Sequence, residues 1–150
     1  MAEVAVLKDL IRSTFSGAAF PKGQPVAEHE CGECDEIRAA FARQAPFELP
    51  TDVIEYHHDS LPMLSPTAFH HFLPAYLVRA LDAPDSTVAL FTWLSLSPDA
   101  LDPFYQSRYD LFSQAEKAVV SHVVEFLIEA GKGELSTDER ERARRYWRAA

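Results

Sequence analysis

The chemistry-bearing stretch of the chain is His29-Glu30-Cys31-Gly32-Glu33-Cys34. It presents an imidazole and two thiols on a loop that leads into a helix. Zinc takes these soft and borderline donors, and Cys-x-x-Cys spacing lets one turn bind it twice. A helix N-terminus also favours the thiolate. The acidic neighbours Glu28, Glu30, Glu33 and Asp35 oppose thiolate formation but attract a cation. His57, His58, His70 and His71 are the candidates for a fourth zinc ligand. On a helical wheel His70 lies about 90° from the centre of its apolar stripe and His71 nearly opposite it, which favours His70. The expected metal site is a structural zinc on His29, Cys31, Cys34 and His70. Two other readings fit the same residues. The chain has two cysteines in all, which is no disulfide framework but suits redox work. Alternatively, Cys34 shares a face with Ile37 and Phe41 and is a small buried hydrophobe, with His70 bonded to a neighbour on the stripe's flank.

Hydrolytic and transfer chemistry has less footing. His29-Glu30-x-x-Glu33 lacks the second histidine of a zincin helix. The deaminase order, H-x-E then P-C-x-x-C, does not occur. There is no G-x-S-x-G or G-x-G-x-x-G, and Gly131-Lys132-Gly133 is not a phosphate loop. Glu30 or Glu33 could act as a base beside an open metal, but an exposed acidic turn explains both more simply. The residues favour a non-enzymatic protein. A small zinc-dependent or thiol-based enzyme is one alternative, and an acidic soluble domain with purely structural cysteines is another.

The elements that must position these residues are helical. Val4, Leu7, Ile11 and Phe15 make one face of a first helix. Cys34, Ile37 and Phe41 fall on one side of a second, and Asp52 with Glu55 opens a short third. Ser65-Pro66 is a strong helix start, with Ser at the N-cap and Pro behind it. The stripe Phe69, Phe72, Leu73, Tyr76, Leu77 and Ala80 stays in register across Pro74, which predicts one kinked helix rather than two. Asp85-Ser86 starts another helix, and Ser97-Pro98-Asp99 a short segment toward Tyr109. Ser113 with Glu116, and Ser136 with Glu139, are capping boxes. On the last helix, Asp138–Arg142 and Glu141–Arg145 are i, i+4 pairs. Phe104, Tyr105 and Tyr109 are candidates for an exposed contact patch. The expected architecture is all-α: a single compact orthogonal bundle of about six to seven helices, one of them Pro-kinked, in one domain over residues 1–150.

Of the 150 residues, 47% are hydrophobic and 25% charged, which excludes disordered, collagen-like and low-complexity classes. A chain of this size buries about 68–70% of its unfolded surface, so it needs no metal or disulfide merely to fold. Lys and Arg number 14 against 23 Asp and Glu, a net charge of −9. That balance argues against nucleic acid and anionic membrane as partners. The run Arg140, Arg142, Arg144, Arg145 and Arg148 is interleaved with Glu139 and Glu141 and reads as a solvated helix face. Charges in the first fifteen residues break any signal-peptide core. The uncharged stretch from Ser60 to Val78 holds three prolines and two histidines, unlike a spanning helix. A cytoplasmic protein is expected. Residues 28–59 carry nine acids and two bases, a local sum of −7. Such a surface suits a basic protein partner, with Glu48, Asp52, Glu55 and Asp59 as its contact residues.

Several segments together resemble a family of small bacterial proteins of unknown function. They are His29-x-Cys31-x-Glu33-Cys34, Leu64-Ser65-Pro66-x-x-Phe69, Phe72-Leu73-Pro74-Ala75-Tyr76-Leu77, and the capped C-terminal helix ending in Tyr146-Trp147. The resemblance covers nearly the whole chain. It implies a bacterial, cytosolic, compact helical domain and supplies no activity. Size, charge and the lack of a catalytic constellation suggest an immunity- or antitoxin-like inhibitor of a basic protein.

Overall fold

Helix α4 (Pro66–Asp82) sets the architecture because it is apolar around most of its circumference. Ten of its residues, including Phe69, Phe72, Leu73, Tyr76 and Leu77, are buried. A helix of that kind must lie at the centre of a bundle. The Ser65 hydroxyl starts it by accepting the Ala68 N–H at 3.1 Å, with Pro66 as the first helical residue. It runs as one helix with Pro74 in its interior, as the unbroken stripe predicts. The structure, a computed structural model, describes residues 2–131 and 133–148.

The neighbours of α4 are α1 (Ala2–Thr14), α3 (Thr51–Tyr56), α5 (Thr87–Leu96), α6 (Pro103–Tyr109) and α7 (Gln114–Ala130). Helix α8 (Thr137–Tyr146) packs on α7. Helix α2 (Gly32–Phe41) reaches the core through Ile37 and Phe41, whose ring lies 4.9 Å from that of Phe72 on α4. Two 3-10 turns, Pro46–Glu48 and Leu61–Met63, complete the described residues, which contain no strand. The all-α expectation is met, with eight α-helices among the described residues rather than six or seven.

The additional helix comes from the region after Ser97. The Ser97 hydroxyl does not open a helix there; it donates back to the Trp93 carbonyl at 2.8 Å and closes α5. The next start is Asp102-Pro103, where the Asp102 carboxylate accepts the Tyr105 N–H at 3.1 Å. Tyr109 is buried rather than exposed: its hydroxyl donates to the Ser95 carbonyl at 2.6 Å and its ring lies 4.3 Å from that of Trp147. Of the expected aromatic patch, Phe104 alone is exposed, with the Arg108 guanidinium 3.8 Å above its ring. Both capping boxes form. The expected pairs along α8, Asp138–Arg142 and Glu141–Arg145, are not among the ion pairs of the described residues: Arg142 pairs with Asp99 at 3.4 Å, and Arg145 lies 5.4 Å from the Tyr146 ring. Arg142 donates to the Pro98 carbonyl at 3.1 Å, and Arg144 holds Glu125 with bonds of 2.9 and 3.0 Å. An exposed i, i+4 pair contributes only about 0.3–0.5 kcal/mol. The Pro98 carbonyl, by contrast, needs a donor.

The long segment before α2 is fastened to the start of α4. Ser65 donates its N–H to the Val26 carbonyl at 2.8 Å and its hydroxyl to the Pro25 carbonyl at 2.7 Å. Ala27 and Leu64 form an isolated antiparallel bridge. Ser65 thus ties residues 25–27 down and caps α4 with one hydroxyl. Ser65→Ala removes both bonds and should lower unfolding free energy by about 1–2 kcal/mol in a urea titration. An unchanged midpoint would show that this tie contributes nothing.

Candidate functional site

Cys31 is the N-cap of α2, with extended backbone angles (φ −157°, ψ 165°). Its sulfur folds over the first turn and accepts the Cys34 N–H at 3.3 Å. The Cys31 carbonyl accepts the Asp35 N–H at 3.0 Å and begins the helical ladder. Both thiols are free. Cys31 is exposed while Cys34 has no accessible surface. At Gly32, between them, a Cβ would meet nothing within 4 Å, so the surface above the turn is open.

The loop leading into Cys31 is held by Arg38 on the same helix. Its guanidinium donates to the Ala27 carbonyl at 3.1 Å and to the His29 carbonyl, and it pairs with Asp35 at 3.0 Å. The hydrogen bond from the Cys34 thiol, followed by the Cys34 N–H, holds the Cys31 thiol below the ordinary cysteine range. The charge of Glu33 opposes that shift. The Cys34 thiol moves the other way, because it donates to Cys31 and is buried. One thiol is therefore exposed with its ionisation favoured, and its partner is covered with its ionisation disfavoured.

The structure brings Cys31 and Cys34 together but does not add His70 to them. His70 Nε2 lies 2.9 Å from Glu116 Oε1 on α7, and its ring meets Phe112 at 4.8 Å. Glu116 is also the carboxylate of the α7 capping box, so His70 links α4 to the start of α7. The His29 side chain is exposed. Among the described residues no three or more His, Cys, Asp and Glu side chains are grouped as metal ligands. The expected tetrahedron of His29, Cys31, Cys34 and His70 is not assembled, because His70 is spent on Glu116.

The acidic residues expected to meet a partner are surface groups. Glu48, Asp52, Glu55 and Asp59 are all exposed. Glu55 is partly neutralised by Arg79 at 3.3 Å. Two residues not singled out from the sequence join this surface. Tyr56 is 68% exposed, and its hydroxyl donates to Glu36 on α2 at 3.4 Å. Glu36, Asp59 and Glu33 all act on buried His57, whose pKa is nonetheless pushed down by its burial. Glu33 and Glu36 of α2 and Asp59 after α3 thus lie around one histidine. The sequence signal for Tyr56 was its i, i+4 spacing from Asp52 on a helix whose buried residue is Ile54.

A family model described as a family of unknown function, DUF6714, matches residues 5–150. The chain belongs to that family. No curated protein and no solved structure matches it. The DUF6714 match takes in the dithiol, the acidic surface and every helix from within α1 onward. In this DUF6714 member no described helix is long and apolar enough to cross a membrane.

The asymmetry of the two thiols has a direct readout. Iodoacetamide should label Cys31 in the folded protein and leave Cys34 unmodified until the chain is unfolded. The pH midpoint of Cys31 labelling should lie below that of a free cysteine and rise in Cys34→Ala. Equal labelling of both thiols in the native state would contradict the burial and hydrogen bonding described here.

Proposed function

We propose that the chain is a cytosolic, non-enzymatic binding protein that engages a basic protein partner through the surface shared by α2 and α3, as an immunity- or antitoxin-type inhibitor would. The observation that carries this reading is the exposed Tyr56 ring set among carboxylates and hydrogen-bonded to Glu36. An aromatic anchor with a charged surround is the composition of a binding hot spot. The carboxylates steer a basic partner toward it, and the ring supplies contact area once the surfaces meet. Both cysteines are free thiols, which suits a reducing cytosol.

Arg79 already compensates Glu55, so the steering falls mainly to Glu36, Glu48, Asp52 and Asp59. A partner captured from the host's lysate at low salt should be a basic protein. Neutralising those four residues to Gln or Asn should slow association by about tenfold and flatten its salt dependence. Tyr56→Ala should instead raise the dissociation rate. If the neutralised chain captures the same partner at the wild-type rate, the acidic surface is not the binding site.

A further inference from the structure

We propose that Cys31 and Cys34 form a thiol–disulfide exchange site that reduces disulfides carried on cationic small molecules or peptides, with Cys31 as the attacking thiol and Cys34 as the resolving one. The exchange is stoichiometric, one disulfide per dithiol, so it is compatible with a non-enzymatic binding protein and independent of the protein partner proposed above.

The geometry supplies each part of the exchange. Cys31 is exposed at the helix start, and the space over Gly32 is open for a disulfide to approach. The Cys34 thiol has no accessible surface, so an external reagent does not reach it directly. It sits one helical turn from Cys31, on the residue whose N–H the Cys31 sulfur caps. The Cys31 sulfur already lies 3.3 Å from the Cys34 N–H, so the two side chains meet across one helical turn without its unwinding. The Arg38 bonds to the Ala27 and His29 carbonyls hold the loop in place whether or not the Cys31 sulfur stays on its cap. The lowered Cys31 and raised Cys34 pKa values match the order of the two steps.

The Cys31 thiolate attacks one sulfur of a disulfide R–S–S–R. The S–S bond breaks, a Cys31–S–S–R mixed disulfide forms, and R–S⁻ leaves and takes up a proton. Cys34 then loses its proton and attacks the Cys31 sulfur. The second R–S⁻ leaves and is protonated, and a Cys31–Cys34 disulfide remains. Two electrons pass from the dithiol to the substrate, and the two thiol protons end on two R–SH. The cationic preference follows from Glu33, whose charge bears on the attacking sulfur, and from Glu28, Glu30 and Asp35, its exposed neighbours in the chain. The neighbouring cation, Arg38, is partly offset by Asp35. This surround repels a disulfide bearing carboxylates and attracts one bearing ammonium groups.

The test mixes the full, reduced chain with cystamine, a cationic disulfide, and separately with anionic glutathione disulfide, at low ionic strength. Intact-mass measurement follows the products. The expected result is an intramolecular disulfide without retained adduct, formed about tenfold faster with cystamine, the ratio shrinking as salt is added. Cys34→Ser should stop at the Cys31 mixed disulfide, and Cys34→Ala serves if the serine disturbs the buried site. Cys31→Ser should not react. The double change Glu30→Gln and Glu33→Gln should narrow the difference between the two reagents while the wild-type product still forms. A wild-type chain that retains the adduct as the Cys34 variants do would overturn the exchange site. Equal rates with the two reagents would overturn the cationic substrate class.

Discussion

Burying a helix that is apolar on nearly every side requires neighbours on every side, and α4 imposes that requirement on the rest of the chain. Each large apolar side chain moved out of water there contributes roughly 1.5–3 kcal/mol before the entropy of ordering it is counted. Several of the covering elements, α3, α5 and α6, are short, and their terminal carbonyls need donors. Polar side chains supply them. Tyr76 donates to the His57 carbonyl at 2.7 Å beyond α3, Trp147 to the Leu96 carbonyl at 3.0 Å, and Arg108 to the Leu64 carbonyl at 2.6 Å. Arg108 is almost wholly buried and forms no ion pair among the described residues; burial pulls its pKa down against the charge of Glu28, and its guanidinium is met by carbonyls and the Phe104 ring.

The thiol site depends on the same core at one remove. The C-terminal half of α2 is sunk against Phe72 by Ile37 and Phe41, which leaves its first turn at the surface. The segment ahead of it is held by Ser65 at the head of α4. The first turn of α2 is thus fixed from both directions while its cap faces solvent. A thiol is a weak choice for that cap. The chain uses Ser or Asp at Ser65, Ser86, Asp102, Ser113 and Ser136, each with an oxygen 3.1 Å from the N–H it accepts. The Cys31 sulfur sits at 3.3 Å. A neutral sulfur accepts poorly, whereas a thiolate gains from the helix terminus. Capping and ionisation therefore favour the same state of Cys31.

What was legible in the sequence was whatever one segment decides alone. The Ser65-Pro66 start, the two capping boxes and the stripe through Pro74 are local signals, and each reappears in the structure. Tertiary competition for a polar group was not legible. Ser97 reads as a helix cap until the Trp93 carbonyl claims its hydroxyl, and Arg142 reads as a surface ion pair until the Pro98 carbonyl does the same. His70 belongs with these. Its place on the stripe's flank was right for reaching a neighbouring element, but the element it meets is α7, through Glu116. In the site, the closeness of Cys31 and Cys34 follows from their spacing. The gathering of Tyr56, Glu36 and Asp59 does not, since α2 and α3 meet only in the folded chain.

The carboxylates around Cys31 act on two quantities with opposite consequences, and range decides between them. On the thiol itself they disfavour ionisation, but Glu33 is exposed and its charge is the smallest influence on Cys31. In water two unit charges 4 Å apart interact by only about 1 kcal/mol, and less with salt. Hydrogen bonding from Cys34 acts at contact range and prevails, so the net shift is downward. On an approaching molecule the balance reverses. No hydrogen bond acts at a distance, whereas the fields of Glu28, Glu30, Glu33 and Asp35 add to those of Glu36 and Asp59 over roughly a Debye length of about 8–10 Å. The same acids that scarcely oppose the thiolate therefore select what reaches it.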